Sequence, residues 1–96
     1  MTNDLTTFVR YMQDHGWEPI VDFDEDPRDC RGLGVSVIVE EIRATELCNV
    51  EWHKPNNLRG WTTFTPYEGE DFLCNYGISG PCGQLQDQWF DEPKDG

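Results

Sequence analysis

Nineteen acidic residues stand against seven basic ones, and this imbalance constrains the fold more than any other feature of the chain. The formal charge of -12 at pH 7 exceeds the magnitude of roughly 2–8 that keeps a small domain soluble. Repulsion of that size opposes compaction. A folded state must therefore bury enough apolar area to offset it, and salt is expected to stabilise the fold. The aromatic residues supply that area: four Trp, three Tyr and five Phe, each with a large buriable surface. They separate this chain from highly charged disordered segments. The 96 residues are read as one domain, 1–96, with a small core.

The clearest local pattern lies at residues 3–15. Leu5, Phe8, Val9 and Met12 fall at i, i+3, i+4 and i+7, the stripe of an amphipathic helix. Asn3 suits the N-cap, and Gly16 suits the residue that stops the helix. Glu18 to Phe23 reads as a short strand. Asp22 to Asp29 is too charged to bury and contains Pro27, so it reads as a loop. Leu33 to Ile42 reads as the best strand, with Val35, Val37 and Val39 on one face and Ile38 and Ile42 on the other. Ala44-Thr45-Glu46 is turn chemistry. Leu47 to His53 follows as a partner strand with Cys48, Val50 and Trp52 inward. Lys54 to Asn57 is a further turn. Trp61 to Thr65 and Phe72 to Ile78 complete the strands, with an acidic turn at Glu68 to Asp71. Gly80 to Gly83 breaks the last strand, residues 84–90 suit a helical turn, and 80–96 form a C-terminal tail. The expected class is α+β: an N-terminal helix packed on a four- to five-stranded antiparallel sheet spanning about 18–79.

The ordered series Gly32-Leu33-Gly34-Val35, Val37-Ile38-Val39-Glu40, Cys48-Asn49-Val50-Glu51-Trp52, Gly60-Trp61 and Glu70-Asp71-Phe72-Leu73 resembles the small SH3-like barrels, including those of tailed-phage proteins. The resemblance covers residues 32–75. It implies a five-stranded barrel, and an open antiparallel sheet under a helix fits the pattern nearly as well. The fold serves many unrelated tasks and carries little functional weight.

Several chemistries lack the spacing they need. Asp22, Asp24 and Asp26 alternate as in a calcium loop, but Pro27 stands where that loop requires Gly and Leu33 where it requires Glu. Cys30, Cys48, Cys74, Cys82, His15 and His53 include no closely spaced zinc pair. Without a secretory signal the cysteines read as reduced thiols. Cys74 and Cys82 flank a short turn-containing segment, but spacing cannot show the geometry of a bridge. Cys48 and His53 have opposite strand parity and cannot cooperate on one face. No phosphate-binding glycine loop is present. No catalytic activity, metal or cofactor is expected.

The charge itself points to a partner. It repels a nucleic-acid backbone and attracts a basic surface. The expected function is a small acidic inhibitor, phage-encoded, that fills the basic groove of a host nucleic-acid-binding complex as a DNA mimic of the anti-CRISPR or anti-restriction type. A phage structural or accessory SH3-like module without catalytic activity is the alternative. Candidate partner-binding residues are Asp22, Asp24, Glu25, Asp26 and Asp29, then Glu40 with Glu46, then Glu68, Glu70 and Asp71. Trp89 and Phe90 join them as an exposed aromatic anchor, while Trp61 is assigned to the core. High-salt adaptation or plain solubility would account for the charge without a partner. No direct nucleic-acid contact is expected. The N-terminus has no signal-peptide pattern and no stretch is apolar enough to span a membrane, so a cytoplasmic location, in a host if phage-encoded, is expected.

Overall fold

The computed structural model describes residues 5–65, 73–77 and 80–91. Among them, three helices and five strands follow one another as α1 (Leu5–Asp14), β1 (Glu18–Val21), β2 (Arg28–Asp29), α2 (Val35–Arg43), β3 (Cys48–Lys54), β4 (Leu58–Phe64), β5 (Leu73–Tyr76) and α3 (Gly80–Asp91). The strands form one antiparallel sheet in the order β2-β1-β3-β4-β5. β2 and β5 are its two edges, so the sheet is open among the described residues. The class is α+β, as the periodicities imply.

Helix α1 follows its stripe: Leu5, Phe8, Val9 and Met12 are all buried. Gly16, at φ 91, ends it. The Gly16 N–H donates to Gln13 O at 2.9 Å and the Trp17 N–H to Met12 O at 3.1 Å. This double closure requires a left-handed residue, which glycine adopts at little steric cost. The Asn3 cap lies outside the described residues.

The expected strand over Leu33–Ile42 is corrected: Val35–Arg43 is helix α2. Val35, Ile38, Val39 and Ile42 also stand at helical spacing, and a helix gathers them on one side. Ile38, Val39 and Ile42 are buried, whereas Val37 is 43% exposed. Five β-branched residues cost a few tenths of a kcal/mol each in a helix. Burying Ile38, Val39 and Ile42 together contributes about 2 kcal/mol each, so packing decides. The Gly-led strand of the barrel-like series is therefore helical here. Residues 80–91 likewise form a full helix, α3, longer than the expected turn. Pro81 stands in its first turn, where a missing N–H is tolerated.

Strand alternation gives the sheet one covered and one open face. Pro19, Val21, Cys48, Val50, Trp52, Thr62 and Phe64 are buried, and the register aligns Val21 with Val50 and Val50 with Thr62. The helices lie on this face. Phe8 of α1 is the hub, meeting Trp52, Phe64 and Trp89 edge to face at centroid distances of 6.4, 5.8 and 5.4 Å. A buried polar chain fastens α3. The Trp52 indole donates to Thr62 Oγ1 at 2.9 Å, and the Thr62 hydroxyl donates to Gln86 Oε1. Gly60 completes the joint, because a Cβ there would lie 2.2 Å from Cys82 Sγ.

Candidate functional site

The acidic loop is built by the end of β1. Asp22 adopts φ 56, and its carbonyl accepts from the Glu25 and Asp26 N–H groups at 3.3 and 3.1 Å. The resulting tight turn throws Asp24, Glu25 and Asp26 into solvent. Asn49 of β3 steadies it, donating through Nδ2 to Asp24 Oδ2 at 2.8 Å. Asp22 itself does not join the exposed set. It is only 5% exposed and faces Arg28, whose Nη2 lies 3.8 Å away. The same guanidinium donates through Nη1 to Glu41 at 2.7 Å. Arg28 is thus the internal counter-ion of this corner, and Asp22 is structural.

Asp29 points elsewhere. Both its oxygens engage Arg31, at 2.9 Å each. Those hydrogen bonds hold its carboxyl down at about 2, and they occupy the charge that a partner would need. Glu40 is exposed on α2, one turn before its end, and Glu46 is exposed just before β3. Glu68, Glu70 and Asp71 lie outside the described residues. Phe64 pairs with both Cys48 and Leu73, so the chain leaves β4 and enters β5 at the end of the sheet where β3 begins. The exposed carboxylates of Asp24, Glu25, Asp26 and Glu46 share that end. None of them enters a salt bridge among the described residues.

The aromatic assignments exchange places. Trp89 is 6% exposed and packs against Phe8 and Tyr11 at 5.4 and 5.2 Å, so it is core and not an anchor. Phe90 lies in α3, and its side chain is outside the described set. Trp61, assigned to the core, is 38% exposed. It pairs with Glu51 on the open face, where Gly77 makes room: a Cβ at Gly77 would come within 2.5 Å of the indole Nε1.

Cys30, Cys48 and Cys82 carry free, buried thiols. Burial pushes all three up, Cys82 to about 12, which withholds the reactive thiolate. Cys48 lies on the covered face. His53 lies on the open one, its Nε2 2.6 Å from Glu51. No group of three or more His, Cys, Asp or Glu converges to hold a metal ion among the described residues. None of the described helices is long and apolar enough to cross a membrane.

At the opposite end of the sheet lies a feature the sequence reading missed. A pocket of about 340 Å³ is lined by Arg31, His53, Lys54 and Arg59 beside Gly16 and Glu18. The β3–β4 hairpin forms one wall, with Asn56 and Asn57 at φ 75 and 61. The Lys54-to-Asn57 turn signal was enough to bring the flanking cations together, since a hairpin there places His53 across from Arg59.

Comparison with family models, with curated proteins and with solved structures gives no match.

Proposed function

We propose that this chain is a protein-binding module that presents carboxylates to the cationic surface of a nucleic-acid-binding protein and so competes with the nucleic acid. The observation that carries this reading is the grouping of Asp24, Glu25, Asp26 and Glu46 at one end of the sheet, exposed and without cationic partners among the described residues. The physics is counter-ion exchange: arginine and lysine side chains that hold phosphates also form charge-assisted hydrogen bonds with carboxylates. The two ends of the sheet do not cancel. Cys48 and Lys54 are separated by roughly 20 Å along β3, beyond the Debye length of about 8 Å in physiological salt. An anti-CRISPR or anti-restriction inhibitor would use its surface in this way. Asp22, Asp29 and Trp89 take no direct part in the contact.

The test is an NMR titration of the labelled chain with an oligoarginine peptide, repeated at rising salt. Shifts should concentrate at residues 23–26 and 46–49, and affinity should fall steeply with salt. A variant carrying D24N, E25Q, D26N and E46Q should bind about tenfold more weakly, as expected for several exposed pairs of 0.2–1 kcal/mol each. Equal binding by this variant, or shifts spread evenly over the surface, would refute the reading.

A further inference from the structure

We propose that the pocket at the cationic end of the sheet binds the phosphate group of a small phosphomonoester. Three of the chain's seven Lys and Arg residues line this one cavity, a marked concentration in so acidic a sequence. Two of them have no carboxylate partner among the described residues: Lys54 and Arg59 enter no salt bridge. Lys54 is positioned by its surroundings. Its stem passes Gly16, where a Cβ would lie 3.3 Å from Lys54 Cε, and its ammonium sits 5.6 Å from the centre of the Trp17 ring. The third cation, Arg31, is fixed by Asp29 through Nε and Nη2, and Nη1 takes no part in those bonds. The cavity's one carboxylate, Glu18, accepts at Oε1 from Gln13 Nε2 at 3.0 Å and from the Gly32 N–H at 3.1 Å; these neutral donors fix its position and leave its charge, so Lys54 and Arg59 together outweigh it by one positive charge.

A doubly charged oxyanion matches this set better than a carboxylate does. It offers three or more acceptor oxygens to the ammonium of Lys54 and the guanidinium donors of Arg59 and Arg31, where a carboxylate offers two, and arginine is suited to such an oxyanion. The volume of about 340 Å³ exceeds the need of a bare phosphate and falls within the range of small-molecule sites, leaving room for a sugar-sized group. The acidic end lies roughly 20 Å away along β3 and is screened at physiological salt, so it does not expel such a ligand.

The experiment titrates the full-length chain, by NMR and calorimetry, with ribose 5-phosphate, inorganic phosphate and acetate, against sodium chloride at matched ionic strength. Ribose 5-phosphate should shift residues 53–59 and Arg31, with affinity above inorganic phosphate and well above acetate. R59Q should weaken it by about five- to tenfold, the loss of one charge-assisted contact. Arg59 is exposed, so this variant should keep the thermal midpoint, whereas K54Q also removes packing on Trp17 and serves as the second variant. The D24N, E25Q, D26N variant should bind unchanged, which separates this site from the acidic end. Shifts no larger than those of chloride, or full binding by both R59Q and K54Q, would overturn the site. Equal affinity for inorganic phosphate and ribose 5-phosphate would overturn its assignment to an organic monoester.

Discussion

The two faces of the sheet draw on the same residue types and use them in opposite ways. On the covered face, Trp52 gives its indole N–H to Thr62, Thr62 is tied to Gln86, and the ring lies edge to face with Phe8. On the open face, Trp61 is one-third exposed and stands across from Glu51, which turns to His53. Asp29 and Arg31 pair in solvent beside them. One step of strand parity separates the two settings. The lesson is that composition does not tell which aromatic anchors the fold and which is left in solvent. Register decides that, and with it the stability each residue contributes.

The contrast can be broken most forcefully at Trp89. Replacing it by Ala removes a ring from the hub around Phe8 and should cost about 3–5 kcal/mol, read from the urea unfolding midpoint. A cost below about 1 kcal/mol would show that α3 does not pack as described. Next comes Gln86→Leu. It leaves the buried Thr62 hydroxyl without its acceptor and should cost about 1–3 kcal/mol, whereas the double change with Thr62→Val should recover part of that loss. Trp61→Ala should cost no more than about 0.5 kcal/mol, in line with substitutions at the surface. A large loss there would mean that the open face is covered.

The smallest effect sharpens the comparison at the sheet edge. Asp29 is held at about 2 by Arg31, below its ordinary value, so the folded state favours its charged form. Its contribution is complete above the ordinary carboxylate range and fades as pH falls through about 2. An NMR titration of the Asp29 carboxyl should show the low midpoint, and Arg31→Gln should return it toward 3.8, its ordinary value. Because the pair is in solvent, thermal stability at neutral pH should barely change.

Local signals were reliable where one pattern stood alone, with one exception: Arg28 and Asp29, expected in the acidic loop, pair with Val21 and Ile20 as β2. The α1 stripe, the Gly16 stop, the inward Cys48-Val50-Trp52 series and the turn at Lys54–Asn57 each admitted one conformation, and each formed. Residues 35–42 carried two patterns at once: Val35, Val37 and Val39 alternate as in a strand, while Val35, Ile38, Val39 and Ile42 recur as in a helix. The sites followed the same logic. Asp24, Glu25 and Asp26 are exposed because a charged turn has nowhere else to go. Asp22, in the same run, is inside because the backbone turns its carboxylate toward Arg28, six residues on.

The amino-acid sequence by itself determined the class of the fold, the first helix, the central hairpin and a surface dominated by carboxylates. These follow from periodicity, turn chemistry and charge, which act over a few neighbouring residues. Only the tertiary structure decided that residues 35–43 are helical, that Trp89 is core and Trp61 is not, and that Arg31 joins the hairpin's Lys54 and Arg59 at one pocket. Each of those outcomes depends on which surface is left for a side chain to pack against once the sheet has formed, and that surface is assembled from residues far apart in the chain.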